Sequence, residues 1–145
     1  MKAIVTGGAG FIGSAVVWQL NQMGIDDILT ADRMYETDKW RNLAPLKFAY
    51  YVDADDLLEA LDIYAERATI VFHLGACSAT TERDADYLMR NNFAYTKFLA
   101  EFCLDNDIRF IYASSAATYG DGSAGMNDGT DELSTLRPLN MYGYS

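Results

Sequence analysis

Short apolar runs alternate along this chain with longer amphipathic stretches. The apolar runs, bounded by polar or glycine positions, predict strands at residues 3–5, 27–31, 47–52, 68–73 and 108–113. Apolar positions at helical spacing predict helices at residues 14–23 and 80–105. A third helix is predicted between them: it follows a loop at residues 53–58 and ends at about Arg67. Strands that alternate with helices in this order predict an α/β fold with a parallel sheet.

The run at residues 68–73 is the most uniformly apolar part of the chain. Such a run is typical of a central parallel strand that is covered on both faces. It ends in His73, which we therefore interpret as a packed core residue rather than an acid or a base.

The stretch at residues 80–105 predicts one long helix that Thr80 could cap. Two adjacent amides, Asn91 and Asn92, lie in its middle, where asparagine has poor helix propensity. Either at least one of them has a buried partner and holds backbone or cofactor, or the two form an exposed pair. The sequence leaves both interpretations open.

A glycine-rich turn follows the first predicted strand and leads directly into a helix. Gly8, Gly10 and Gly13 satisfy the G-x-G-x-x-G spacing that accommodates a dinucleotide pyrophosphate. The free N–H groups of the helix's first turn and the positive end of its dipole would face the phosphates. The alternative is a strand-to-helix turn that binds nothing, but the strand and the helix on either side favour cofactor binding.

Asp32 follows the glycines by about 20 residues, at the end of the second predicted strand, where a carboxylate accepts hydrogen bonds from the adenosine ribose. A carboxylate there favours NAD because it repels a 2′-phosphate. Arg33 and Lys39, however, could neutralise that phosphate, or they could be solvated loop charges. The residues alone leave NAD against NADP open.

Further candidates lie at the carboxyl ends of the later strands, where open α/β sheets bind their ligands. Asp53 could border the adenine, and it could equally cap the following helix. Small residues from Leu74 to Ser78 would let ribose and phosphates cross the strand edge. Ser114 and Ser115, which follow the fifth strand, could touch a substrate. The acidic, glycine-rich stretch at 121–136 predicts a surface loop.

Composition narrows the class of partner. The chain of 145 residues carries 21 Asp and Glu against 11 Lys and Arg, a net charge of -10, which argues against nucleic acid or an anionic membrane. No apolar segment approaches the length of a membrane span, and no signal peptide is expected. Two cysteines without metal-type spacing and one histidine predict no metal site and a cytoplasmic protein with reduced thiols.

Four motifs carry a resemblance to a known family. The string TGGAGFIG at 6–13, FHLGA at 72–76, SSAATYG at 114–120 and PLNMYGYS at 138–145 resemble the extended short-chain dehydrogenase/reductases that act on nucleotide sugars. GACSATTE at 75–82 is similar to the ADP-glycero-manno-heptose 6-epimerases, which make a precursor of the lipopolysaccharide core. The resemblance implies a Rossmann-like, doubly wound parallel sheet in three α/β/α layers. Residues 1–145 would form the NAD(P)-binding domain and stop before the substrate domain.

The resemblance also implies roles for particular residues. Tyr142 matches the tyrosine acid/base, and Ser115 matches the hydroxyl that hydrogen-bonds the reacting oxygen. Substrate contacts are implied for Ser115 and Ala116, and the family usually prefers NADP. A homo-oligomer of the full-length protein is expected because Tyr95, Phe98 and Phe102 on the long helix offer more apolar surface than one domain needs. The implied cofactor contacts are Gly7, Gly10, Phe11, Ile12, Gly13, Asp32, Arg33, Lys39, Asp53, Leu74, Gly75, Ala76, Cys77, Ser78, Asn91 and Asn92.

The implied chemistry is oxidation of the sugar at C6, presentation of the other face of the carbonyl, and return of hydride. A tyrosine with a pKa of about 10 needs a nearby cation to act as a base at neutral pH. In the family this cation is a lysine four residues after the tyrosine, one position beyond Ser145. We therefore expect these 145 residues alone to bind cofactor with negligible epimerase activity. The alternatives are another nucleotide-sugar epimerase or dehydratase, or a non-catalytic NAD(P)-binding module.

Overall fold

The computed structural model describes residues 2–65 and 68–145. The five strands are β1 (Lys2–Thr6), β2 (Ile28–Asp32), β3 (Tyr50–Asp53), β4 (Ala68–His73) and β5 (Arg109–Tyr112). The α-helices are α1 (Phe11–Gln22), α2 (Trp40–Leu43), α3 (Ala54–Ala65), α4 (Ala85–Leu88), α5 (Tyr95–Asp105) and α6 (Met141–Tyr144). A π-helical segment, Met89–Ala94, joins α4 to α5, and 3₁₀ helices form at Ala116–Tyr119 and Thr130–Thr135.

The five strands form one parallel sheet in the order β3-β2-β1-β4-β5. The chain adds strands outward from β1 on one side and then returns to its other side with β4. The predicted Rossmann-like α/β fold is thereby confirmed. This reversal of strand order, between β1 and β4, is where such sheets bind dinucleotides.

The core of the sheet surrounds β1, whose five residues are all buried. Val17 and Leu20 on one face of α1 pack with Ala3, Val5 and Ile28 in a single buried cluster. Burial of this apolar stripe fixes α1 against the sheet. The start of α1, which carries the glycine turn, is thereby held at the carboxyl end of β1.

The third strand and the long helix begin later than the sequence predicted. The third strand is limited to Tyr50–Asp53, and α3 follows it at once because the Asp53 carboxylate accepts the N–H of Asp55 at 2.9 Å. The expected cap at Thr80 is wrong. The helix begins at Ala85, since the side chain of Asp84 accepts the N–H of Tyr87 at 2.9 Å. The predicted end of α3 near Arg67 lies outside the described residues.

The chain divides into two compact units. The first comprises Met1–Gly75 and Lys97–Ala113 and contains the sheet. The second comprises Ala76–Thr96 and Ser114–Ser145 and contains the π-helical segment, both 3₁₀ helices and α6. Within residues 2–65 and 68–145, no helix is both long and apolar enough to cross a membrane.

Candidate functional site

The glycine turn of the first unit has no room for side chains at two positions. A Cβ on Gly7, whose φ is +66°, would lie 2.7 Å from the backbone N of Gly75. A Cβ on Gly13 would lie 2.0 Å from the carbonyl oxygen of Gly7. Gly10 precedes α1 without any side-chain cap, so the first N–H groups of the helix are available to a ligand. This arrangement fits the close approach of a pyrophosphate.

Asp32 ties the end of β2 to that turn. Its Oδ2 accepts the N–H of Ala9 at 2.9 Å, and its Oδ1 accepts the N–H of Arg33 and the Nζ of Lys39, both at 2.7 Å. The Asp32 residue is 7% exposed. The predicted ribose contact stays a prediction, and the structure adds that the same carboxylate anchors the turn.

Both cations of the predicted adenosine-ribose end are in ion pairs. Arg33 donates from Nε and Nη2 to Asp55, at 2.9 and 2.5 Å, and Lys39 pairs with Asp32. Neither is therefore a solvated loop charge. The hydrogen bonds from Arg33 hold the pKa of Asp55 below its ordinary value. Asp55 is thus a partner of this site that the sequence analysis did not identify.

The end of β3 lies beside β2, with Asp53 opposite Asp32 in the register. The exposed Asp53 side chain caps α3, which is one of its two predicted roles, while the adenine contact stays untested. The Tyr51 hydroxyl donates to the carbonyl of Asp32 at 2.6 Å. Burial, and then the charges of Asp53 and Asp32, raise the pKa of Tyr51, which keeps this phenol a donor.

Thr6 organises the carboxyl end of β4, a role that the sequence prediction missed. Its Oγ1 accepts the N–H groups of Leu74 and Gly75, both at 3.2 Å, and lies 2.6 Å from Nδ1 of His73. Because the hydroxyl accepts two amides, its own proton is directed to Nδ1. Burial lowers the pKa of His73 to about 4. The prediction that His73 is a packed core residue is confirmed.

In the second unit, Asn92 holds three segments together. It accepts the N–H of Cys77 at 2.9 Å, donates to the Cys77 carbonyl at 3.1 Å, and donates to Oγ of Ser145 at 3.1 Å. Asn91 donates to Asn92 at 2.9 Å, and both amides are buried. Of the two interpretations that the sequence left open, the structure supports the buried pair and not the exposed one. The π-helical turn that contains both residues is a feature that is frequent at functional sites.

The elements that carry the two catalytic candidates pack against each other in the same unit. Ser115 caps the 3₁₀ helix Ala116–Tyr119 by accepting the N–H of Ala117 at 3.2 Å. Helix α6, which carries the half-buried Tyr142, approaches it so closely that a Cβ on Gly143 would lie 2.7 Å from the Ala117 carbonyl. Ser145 Oγ donates to the carbonyl of Tyr142 at 3.0 Å, which links Tyr142 to Asn92.

The remaining predicted contacts lie at the surface. Phe11 and Ile12 at the start of α1 are 89% and 62% exposed, and Ala76, Ser78 and Ala116 are exposed as well. The predicted surface loop at 121–136 contains the 3₁₀ helix Thr130–Thr135. Among the residues that the structure describes, no group of three or more His, Cys, Asp or Glu side chains could hold a metal ion.

A family model and a curated protein match nearly the whole chain. The model described as "NAD dependent epimerase/dehydratase family" matches residues 3–145. A protein of Fusobacterium nucleatum subsp. nucleatum named ADP-L-glycero-D-manno-heptose-6-epimerase is 56% identical over 146 residues. That alignment covers 98% of this chain and 44% of the Fusobacterium protein. The chain thus spans less than half the length of this relative.

Solved structures agree with the fold. The Helicobacter pylori ADP-L-glycero-D-manno-heptose-6-epimerase superposes with a TM-score of 0.78 at 27% identity, over 99% of this chain and 46% of that one. The Bacillus cereus UDP-glucuronic acid 4-epimerase, solved with NAD, superposes with a TM-score of 0.80 at 27% identity. Its match covers 99% of this chain and 48% of the Bacillus chain.

Proposed function

Because the chain belongs to the NAD dependent epimerase/dehydratase family, we propose that it is the cofactor-binding part of an NADP-dependent nucleotide-sugar epimerase. The proposed reaction converts ADP-D-glycero-manno-heptose to its L-glycero epimer by transient oxidation at C6, for lipopolysaccharide core biosynthesis. The observation that carries the catalytic part is the direct packing of α6, with Tyr142, on the 3₁₀ helix that Ser115 caps. The name of the 56% identical relative supports the substrate.

The first unit supplies the proposed cofactor cradle. Gly7 and Gly13 leave no space for a Cβ, so the backbone itself approaches the pyrophosphate, and α1 offers uncapped N–H groups to its charge. Thr6 orients the amides of Leu74 and Gly75 at the neighbouring strand end. These contacts suit NAD and NADP equally, because both share the pyrophosphate.

The preference for NADP rests on Arg33 and Lys39. In the absence of ligand each cation is held by a carboxylate, Asp55 or Asp32, beside the end of β2. A 2′-phosphate would add an anion that both cations can contact through charge-assisted hydrogen bonds. Pairing keeps these long side chains ordered before the cofactor arrives, which lowers the entropic cost of binding.

Tyr142 and Ser115 divide the proposed chemistry. The nicotinamide, when bound, accepts a hydride from C6 and returns it. Tyr142 takes the proton of the C6 hydroxyl and later gives it back, and Ser115 donates a hydrogen bond to the reacting oxygen. Tyr142 needs a cation to act as a base, and the family lysine expected one position after Ser145 would supply it. For this reason we propose that the 145 residues alone have negligible turnover.

Two further parts of the proposal concern the whole protein. A cytoplasmic location is supported by Cys77 and Cys103, which are both free thiols. A homo-oligomer is supported by apolar surface such as Phe98 on α5, which is 47% exposed.

The cofactor assignment is tested by binding NADP and NAD to the full-length protein. We expect Lys39→Ala to weaken NADP by about tenfold and NAD much less, since one charge-assisted hydrogen bond to the 2′-phosphate is lost. Lys47→Ala is the matched control, because Lys47 is 78% exposed and only 3.8 Å from Asp26 in a surface pair. Equal losses for both cofactors would leave the pyrophosphate cradle intact and refute the NADP preference.

The catalytic assignment is tested by turnover of ADP-D-glycero-manno-heptose. We expect Tyr142→Phe to lower kcat by about 100-fold or more with little change in NADP affinity, because only the proton-transferring oxygen is removed. Tyr144→Phe on the same helix, at a residue that is 70% exposed, is the control. Normal turnover by Tyr142→Phe would exclude it as the acid/base. Cofactor binding without turnover of any nucleotide sugar by the wild type would favour the non-catalytic module.

A further inference from the structure

A small cavity lies within the second unit, beside the residue proposed to bind the reacting oxygen. Its volume is about 150 Å³. It is lined by Ser114, Ser115, Thr118, Tyr119, Asn127, Asp128, Leu133 and Leu136. The lining thus contains four hydroxyl groups, one amide and one carboxylate. This set of donors and acceptors suits a polyhydroxylated group.

The charge of the lining comes from one side chain. Asp128 is acidic, and the other seven described lining residues are neutral, with no lysine or arginine to offset it. Two like charges that share a small site are strongly disfavoured. A sugar that carries a carboxylate would therefore be repelled by the solvent-exposed Asp128 carboxylate, whereas a sugar that carries hydroxyls would find an acceptor.

Tyr119 fixes the position of that carboxylate. The Tyr119 hydroxyl donates a hydrogen bond to Oδ1 of Asp128. This hydrogen bond raises the pKa of the Tyr119 phenol, so the phenol stays protonated and keeps donating. A carboxylate has about four acceptor positions, so Asp128 retains capacity to accept from a ligand while Tyr119 holds it.

The segment that leads to Asp128 is itself anchored near the 3₁₀ helix. Tyr119 ends that helix, and a Cβ on the next residue, Gly120, would lie 1.9 Å from the carbonyl oxygen of Arg137. With a φ of +64°, Gly120 turns the chain against the Arg137 backbone. Leu136, which also lines the cavity, is 8% exposed. The loop at residues 121–136, which forms part of the cavity wall, is thus held in place at both of its ends.

We propose that Asp128, held by Tyr119, is a specificity-determining residue that accepts hydroxyls of an uncharged sugar beside Ser115 and rejects sugars that carry a carboxylate. This inference rests on the proposed function, because it places the sugar of a nucleotide sugar next to Ser115. It makes neutral, hydroxyl-rich nucleotide sugars the substrate class of the site and excludes nucleotide-linked uronates.

The test measures binding of ADP-mannose and ADP-mannuronic acid, two probes that differ by one carboxylate, to the NADP-loaded full-length protein. We expect the wild type to favour the neutral probe by about tenfold or more, and Asp128→Asn to reduce that ratio by about tenfold. The amide keeps an oxygen for the Tyr119 hydroxyl but has no charge. Asp121→Asn is the control, since Asp121 lies in the same loop, accepts the N–H of Ser123 at 2.9 Å and does not line the cavity.

Tyr119→Phe distinguishes the effect of the Asp128 charge from the effect of holding the Asp128 side chain in place. It leaves the Asp128 charge in place but releases the side chain, so we expect weaker binding of the neutral probe with part of the discrimination retained. A ratio that Asp128→Asn leaves within about twofold of the wild type overturns the inference, even if the enzyme is active. If the wild type binds neither probe and turns over no nucleotide sugar, the proposed function fails together with the inference.

Discussion

Protonation of His73 is predicted to destabilise the folded protein between pH 6.5 and about 4. His73 is 4% exposed, its Nδ1 accepts a hydrogen bond from the Thr6 hydroxyl, and its ring stacks on Phe110 with centroids 6.0 Å apart. Burial lowers its pKa from 6.5 to about 4, because the charged form would be desolvated. The unfolded chain therefore binds a proton at pH values where the folded protein does not.

The size of the effect follows from the pKa difference. At about 1.4 kcal/mol per pKa unit, the shift corresponds to a stability contribution of about 3 kcal/mol. This contribution is fully present above pH 6.5, declines as the pH falls, and is lost once the pH has passed through about 4. The pKa values of Asp55 and Asp121 are lowered from 3.8, so the stability that these two carboxylates contribute is lost at lower pH than that of His73.

The assay compares urea unfolding of the wild type and His73→Asn at several pH values, followed by tryptophan fluorescence. Asparagine puts an oxygen near the place of Nδ1 for the Thr6 hydroxyl but cannot take up the proton. We expect the free energy of unfolding to fall between pH 6.5 and 4.5 more steeply in the wild type than in the variant. His73 is the one histidine of this sequence, and subtracting the variant's NMR spectrum identifies its signals.

Two outcomes would refute this account of His73. One is an imidazole signal that titrates near pH 6.5 in the folded protein, which would mean that burial does not depress the pKa. The other is an equal pH dependence of unfolding in the wild type and His73→Asn. Lower overall stability of the variant alone would not count, because it also loses the ring stacking on Phe110.

The other predictions concern the backbone of the two units. Gly13→Ala should lower the affinity for NADP and NAD alike by about 100-fold or destabilise the fold, because its Cβ would lie 2.0 Å from the Gly7 carbonyl oxygen. Isothermal titration calorimetry measures both affinities. Gly129→Ala is the control, because nothing lies within 4 Å of the Cβ that it adds. Asn92→Ala should destabilise the protein by about 1 kcal/mol because the partly buried N–H and carbonyl of Cys77 lose their partner. In thermal unfolding Asn92→Asp should be intermediate, and a variant as stable as the wild type would contradict the role of Asn92.

The sheet could be predicted from sequence because its signal is local. Each strand is a short apolar run. The closely spaced glycines directly after β1 predict the strand-to-helix turn. The parallel order then follows from the alternation of strands and helices, since a helix returns the chain to the same end of the sheet. The observed sheet is parallel throughout, as those rules require, and the strand order β3-β2-β1-β4-β5 is added by the structure.

The helix boundary near residue 80 could not be predicted for an equally local reason. Thr80 and Asp84 both have side chains that can cap, and the periodicity continues through them. In the structure, Glu82 accepts the N–H groups of Arg83 and Asp84 at 2.6 and 2.8 Å and holds the preceding residues in a turn. Competition between side chains for the same backbone N–H groups decides where the helix begins. The spacing of apolar residues contains no information about that competition.

The candidate site was predicted as a set of residues, and the structure supplies their partners. Sequence placed Arg33 and Lys39 near the ribose end but could not pair them with Asp55 and Asp32, since Arg33 and Asp55 lie 22 positions apart and meet only when β2 and β3 align. The carboxylates of Asp55 and Asp32 already pair with the two cations that a 2′-phosphate would contact. In the proposed NADP complex, the phosphate would have to contact Arg33 and Lys39 while both stay paired with Asp55 and Asp32.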